Sequence, residues 1–95
     1  MDLLELKRYA IENRVDIRIN DPRTNRECLI NSRGLVKILV ENKDLRVEDL
    51  LDAAETFEIV VNGISSQRHN REAMNRIIAE AFARNRSGHH QEEEE

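Results

Sequence analysis

Apolar residues recur along the chain with two periods, and each period predicts one kind of element. Where they return every three or four positions they form one stripe of a helix, and where they alternate with polar residues they form the buried face of a strand. Val15, Ile17 and Ile19 are an example of the second pattern. The pattern predicts helices over residues 2–13, 47–57 and about 70–85, and strands over residues 15–20, 26–31, 35–40 and 58–61.

The order of these elements, α-β-β-β-α-β-α, predicts an α+β fold. The first three strands are joined by short turns, so they are expected to form an antiparallel β-meander, and residues 58–61 add one strand. The expected sheet is three- to four-stranded and mostly antiparallel, with three helices, and residues 64–69 are expected to be a loop. The domain is expected to cover residues 1–86, and residues 87–95 a disordered acidic tail.

A tight turn at residues 32–34 determines how the second and third strands of the meander pair. It pairs Ile30 with Val36 and Cys28 with Ile38, and this register assigns every side chain to one face. The expected inner face consists of Cys28, Ile30, Val36, Ile38 and Val40, and the expected outer face consists of Arg18, Glu27, Leu29, Asn31, Leu35, Lys37 and Leu39.

The outer face of the meander is the first candidate functional surface. Leu29, Leu35 and Leu39 lie there among charged residues, whereas a solvated sheet face is expected to be more polar. Two interpretations stay open: one of the helices covers this face, or the face binds a protein partner or a second copy of the chain. In the second interpretation the leucines are buried by the partner, and Arg18 and Lys37 select an acidic partner.

Basic residues near the last predicted helix give an alternative function, nucleic-acid binding. Arginine side chains contact phosphates, and asparagine side chains contact base edges. Two observations argue against it: the chain of 95 residues has a net charge of −4, and it has few aromatic rings on which bases could stack. The candidate residues are Arg68, Asn70, Arg71, Asn75 and Arg76.

Residue types that carry catalysis or bind metals are scarce in this sequence. Cys28 is the single cysteine and is expected to fill the core, as free cysteines often do. His69, His89 and His90 have no cysteine partners at zinc-site spacing. The chain has no P-loop, no G-x-G-x-x-G and no G-x-S-x-G motif. The sequence therefore predicts no catalytic residue, no metal site and no cofactor.

The composition also bears on location. No segment has the pattern of a signal peptide, and no apolar run approaches the roughly 20 residues that cross a bilayer. We therefore expect a cytoplasmic protein with no membrane contact. The leading function is a non-catalytic protein-interaction module, with a homodimer as one form of that interaction.

Overall fold

The structure is a computed structural model that describes the backbone of residues 1–40 and 43–93, and the side chains of these residues except Ser66 and 85–93. The predicted α+β class and the order of the predicted elements are confirmed, and one strand is added to them. In the described residues the elements are α1 (Leu3–Asn13), β1 (Asp16–Asp21), β2 (Arg26–Ile30), β3 (Val36–Ile38), α2 (Val47–Ala53), β4 (Thr56–Val61), β5 (Ile64–His69) and α3 (Arg71–Glu93).

The strands form one antiparallel sheet in the order β3-β2-β1-β4-β5. The predicted register of the meander is confirmed, because Ile30 lies opposite Val36 and Cys28 lies opposite Ile38. Strand β4 pairs with the other side of β1, so that β1 is the central strand. The ends of the sheet are therefore β3 and β5.

The helices lie together on one face of this sheet. Helix α1 contacts both α2 and α3, while α1 and α2 contact β1 and β2, and α3 contacts β4 and β5. Alternate strand residues point into this helix layer, which gives a fold of two layers around one core. The buried core consists of Leu6, Tyr9, Ala10, Ile17, Ile19, Cys28, Ile30, Leu50, Leu51, Ala54, Phe57, Met74, Ile78 and Ala81.

The second helix is shorter than its apolar stripe predicts. Helix α2 ends at Ala53, and Ala54 already has an extended backbone with φ −62° and ψ 135°. Phe57, which the sequence assigns to the helix, lies in β4 opposite Ile19 and is fully buried. Residues 56–61 are rich in β-branched side chains, and pairing with β1 satisfies their backbone groups. Burying Phe57 there stabilises the fold by about 1.5–3 kcal/mol.

Strand β5 corrects the prediction of a loop over residues 64–69. Asn62 and Gly63 both have positive φ, 53° and 80°, which is the backbone of a tight two-residue hairpin turn. The turn directs Ile64–His69 back along β4. Its sequence has no apolar alternation, because an edge strand on a half-open sheet needs few buried side chains, and this is why the hydrophobic pattern missed it.

The last helix begins as predicted, with Asn70 Oδ1 accepting a hydrogen bond from the Ala73 N–H at 2.8 Å. Helix α3 continues to Glu93, beyond the predicted end near Asn85. The side chains of the predicted tail, residues 87–95, lie outside the described part of the chain. The boundary of that tail stays a prediction.

A buried aspartate holds the first hairpin. Asp21 accepts hydrogen bonds from the Thr24 hydroxyl at 2.9 Å and from the Arg23 backbone N–H at 3.2 Å. Burial alone would raise the pKa of Asp21, but these hydrogen bonds and the charge of Arg23 lower the pKa below its ordinary value. Arg23 also pairs with Glu55 at 3.1 Å, which ties this hairpin to the start of β4.

Candidate interaction surface

The sheet face opposite the helices is the candidate site, and we call it the outer face. Because α1, α2 and α3 share one layer, no helix among the described residues covers it. The first interpretation of the meander's outer face, that one of the helices covers it, is therefore excluded for the described helices. Strand alternation gives this face the side chains that do not enter the core, and they include every candidate partner-binding residue: Arg18, Leu29, Leu35, Lys37 and Leu39.

One line of residues crosses the outer face from edge to edge, and we call it the cross-strand row. Lys37 on β3 lies opposite Leu29 on β2, and Leu29 lies opposite Arg18 on β1. Arg18 lies opposite Glu58 on β4, and Glu58 lies opposite Arg68 on β5. The row therefore reads cation, leucine, cation, anion, cation.

The anion of the row is buried, although it lies on the uncovered face. The Glu58 side chain is only 7% exposed, and its Oε1 is 3.1 Å from Arg68 Nε. Arg18 flanks it on the other side in the register. The charge of the Glu58 carboxylate is thus balanced by neighbouring residues of the sheet, whereas Arg18, Lys37 and Arg68 are exposed. What the row presents to a partner is positive charge.

Leucines give the β2–β3 side of the outer face its apolar character. The ladder between these strands extends past β3, because the Asn31 N–H donates to the Leu35 carbonyl at 2.9 Å and the Leu39 N–H donates to the Glu27 carbonyl at 3.0 Å. Leu35 and Leu39 therefore share the face of Lys37. Leu35 is 62% exposed, and Leu29 and Leu39 are half-buried.

The remaining carboxylates of the outer face are less accessible than its cations. Asp16 is half-buried, and its Oδ1 accepts a hydrogen bond from the Ser32 N–H at 2.9 Å. Glu27 is also half-buried, opposite Asn20. The outer face therefore combines an apolar side with exposed positive charge.

The structure separates the residues predicted for nucleic-acid binding. Arg68 belongs to the outer face, paired with Glu58, and Asn70 caps α3. The Arg71 guanidinium donates a hydrogen bond to the Leu51 carbonyl in α2, so it joins two elements of the fold. Asn75 and Arg76 are exposed on α3.

Cys28 is buried in the core, and His69 is half-buried at the end of β5. Burial raises the pKa of the Cys28 thiol to about 11, so it is protonated at neutral pH and lacks the thiolate needed for attack. His69 lies opposite Phe57. Within the part of the chain that the structure describes, no group of three or more His, Cys, Asp or Glu residues could hold a metal ion.

A groove of about 390 Å³ lies between α1 and α3, away from the sheet. Glu5 in its lining is 3.7 Å from the N-terminal amine, and Asn75 is exposed. Five of the seven lining residues are apolar, and the two polar ones are Glu5 and Asn75. The lining residues are Met1, Glu5, Asn75, Ile78, Ala79, Phe82 and Ala83.

Sequence reasoning missed two members of the outer face, Glu58 and Arg68. Arg68 was assigned to a loop beside the last helix, since β5 gave no strand pattern. Glu58 is the first residue of the predicted strand over 58–61, and the pattern does not assign it to the outer face of the meander. The signal that could have found both is Asn62-Gly63, a two-residue turn typical of a hairpin, which places Glu58 and Arg68 on paired strands.

Comparison of the chain with protein-family models, with curated proteins and with solved structures finds no match. A search of the described residues for a helix long and apolar enough to cross a membrane also finds none. Functional inference therefore rests on the outer face itself.

Proposed function

We propose that this chain is a non-catalytic protein-interaction module that binds an acidic protein partner on the outer face of its sheet. The observation that carries the proposal is the exposed positive charge of Arg18, Lys37 and Arg68 beside Leu35, on a face that no described helix covers. The proposal includes a cytoplasmic location.

The apolar part of the proposed interface is formed by Leu29, Leu35 and Leu39. Antiparallel sheets that face water on one side carry polar residues there, so leucines on an uncovered face favour contact with another molecule. Their position at the β3 edge lets a partner cover them without displacing the helices. Interfaces between proteins have an apolar buried centre and a polar rim, and these leucines would form such a centre.

The charged part of the proposed interface selects the partner. Exposed cations raise the rate at which an acidic partner is encountered and disfavour basic ones. They also disfavour a two-fold homodimer centred on the row, because the symmetry axis would bring Arg18 against its own copy. We therefore favour a different protein over a second copy of the chain at this face.

The experiment compares a face variant with a matched control. Leu35→Asp combined with Leu39→Asp places charge in the proposed interface, and Leu4→Asp does the same at an exposed leucine of α1, which is 66% exposed. Tagged chains are expressed in the cells of origin and their associated proteins are quantified. Circular dichroism confirms folding, and sedimentation reports self-association.

We expect the double variant to recover at most about one-tenth of the amount of a discrete acidic partner that the wild type and Leu4→Asp recover. The reason is that a charge buried in an interface costs several kcal/mol. Equal recovery of all associated proteins by the folded double variant and the wild type would overturn the proposal. So would an equal loss from the double variant and from Leu4→Asp.

A further inference from the structure

The spacing of the cations in the cross-strand row specifies the shape of the partner. We infer that the partner presents an acidic α-helix that crosses the strands, with acidic residues at seven-residue intervals facing Lys37, Arg18 and Arg68. This inference rests on the proposed function and identifies the kind of partner that it requires.

The cations lie on alternate strands of the sheet, β3, β1 and β5. Neighbouring strands are about 4.8 Å apart, so consecutive cations of the row are about 10 Å apart at the backbone and the outermost pair about 19 Å. A complementary ligand needs three negative groups with the same separation along a line.

An α-helix has this separation built into its geometry. Residues i and i+7 lie on the same side of a helix and are about 10.5 Å apart, and residues i and i+14 are about 21 Å apart. The total mismatch of about 2 Å over the whole row is within the reach of the flexible lysine and arginine side chains.

An extended peptide lying along the row fits worse. Side chains on one face of a strand are about 6.7 Å apart, so its negative groups would fall at about 7 and 13 Å, on either side of the second cation. The charge spacing therefore favours a helix over a strand.

The positions between the cations add two further requirements. Leu29 lies between Lys37 and Arg18, where a helix presents residue i+4, so an apolar side chain is expected there. Glu58 lies between Arg18 and Arg68, where a helix presents residue i+11, so a fourth acid is disfavoured at this place.

Three synthetic peptides of equal length and net charge test the inference. The first is a stabilised helix with Glu at i, i+7 and i+14, Leu at i+4 and Gln at i+11. The second is a stabilised helix of the same composition with Glu at i, i+5 and i+10, which distributes the charges around the helix. The third is an unstructured peptide of the same composition. Affinities are measured by isothermal titration and fluorescence anisotropy at physiological salt.

We expect the first peptide to bind at least ten times more tightly than the other two. Arg18→Gln and Lys37→Gln are each expected to weaken its binding at least fivefold. Arg76→Gln, at an exposed arginine of α3 that is outside the outer face, is expected to leave its affinity unchanged. Circular dichroism confirms that each variant is folded. Because Lys37 lies at the edge of the sheet, its substitution is expected to disturb the fold less than that of Arg18.

Equal binding of all three peptides, or binding of none, would overturn the helix inference. The inference would also be overturned if a duplex oligonucleotide bound more tightly than the first peptide and lost this binding in Arg18→Gln. The cross-strand row would then bind a nucleic acid. If the peptides fail while the Leu35→Asp, Leu39→Asp variant still loses its cellular partner, the proposed function stands and only the helical partner is wrong.

Discussion

Arg68 Nε lies 3.1 Å from Glu58 Oε1 across the β4–β5 pair, and the two side chains differ sharply in exposure, 74% for Arg68 and 7% for Glu58. The arginine thus matches a carboxylate that is nearly removed from water on an otherwise open sheet face. A buried carboxylate without a partner is costly. Arg68 therefore has two roles: it stabilises the sheet and places an exposed guanidinium on the outer face.

Replacing Arg68 with glutamine is expected to lower the free energy of unfolding by about 1 kcal/mol, because the buried Glu58 carboxylate loses its charged hydrogen-bond donor. The effect is not larger because Arg68 is exposed, and solvent weakens an ion pair with an exposed partner. Urea denaturation measures the change. Arg76→Gln is the control, because Arg76 is exposed on α3 and is expected to change stability by less than about 0.5 kcal/mol. Equal effects of the two substitutions would contradict a structural role for the ion pair.

Gly34→Ala is expected to destabilise the chain more than Gly63→Ala. Both glycines have positive φ, 81° and 80°, so alanine costs about 1–2 kcal/mol at either position. At Gly34 a Cβ would also lie 2.9 Å from Ile11 Cδ1, whereas at Gly63 it meets nothing within 4 Å. Ile11 Cδ1 is the far end of a side chain that is 49% exposed and can move aside, so the crowding adds only about 0.5 kcal/mol at Gly34. Thermal and urea unfolding of the two variants measure the difference.

The added cost at Gly34 should depend on the size of the side chain at position 11. Ile11→Ala removes the clashing atoms, so Gly34→Ala is expected to cost less in that background than in the wild type. If the changes in the free energy of unfolding caused by Gly34→Ala and Ile11→Ala simply add in the double variant, Ile11 does not crowd the turn.

Arg71→Ala is expected to act on stability rather than on binding. Its guanidinium donates to the Leu51 carbonyl in α2, so the substitution removes a hydrogen bond between two elements and costs about 0.5–1.5 kcal/mol. The nucleic-acid alternative instead expects a folded variant of wild-type stability with weaker binding. Urea denaturation beside titration with duplex and single-stranded oligonucleotides at low and physiological salt distinguishes the two outcomes.

Asp21 is expected to make stability depend on pH in the acidic range. Its folded-state pKa is lowered, so the contribution of its ionised form is present above the ordinary pKa of about 3.9 and is lost as the pH falls through the lower folded value. Asp21→Asn should therefore destabilise most above about pH 5, and its difference from the wild type should shrink below about pH 4.

Denaturation curves across this range measure the effect of Asp21. Thr24→Val removes one of the hydrogen bonds to the carboxylate and is expected to reduce the pH-dependent part of the difference. A constant difference between Asp21→Asn and the wild type at every pH would contradict the lowered pKa.

The sequence was sufficient for the meander and its register but not for the second hairpin. Turn length and alternating burial specify the pairing of Ile30 with Val36, because a slip of one residue would turn Cys28 out of the core. Strand β5 could not be found in the same way, since an edge strand with one open face carries few apolar residues. Leu29, Leu35 and Lys37 were therefore placed correctly, whereas Arg68 was separated from them.

Whether a helix covers the outer face could not be decided from the sequence. Each predicted helix has an apolar stripe that fits either face of a sheet, and the choice depends on long-range packing such as the contact of α1 with both α2 and α3. The same holds for Phe57. Its spacing fits the end of α2 as well as a strand, and pairing with β1 decides between them.

Photo-cross-linking in cells detects a protein partner bound to the outer face. A benzophenone amino acid is placed at Leu35 in one chain and at Leu4 in another, which are similarly exposed on opposite layers of the fold. We expect a discrete cross-linked protein from position 35 that is absent from position 4 and is lost when Arg18→Gln and Lys37→Gln are added. No adduct at position 35, or the same adducts from both positions, would contradict the proposed function.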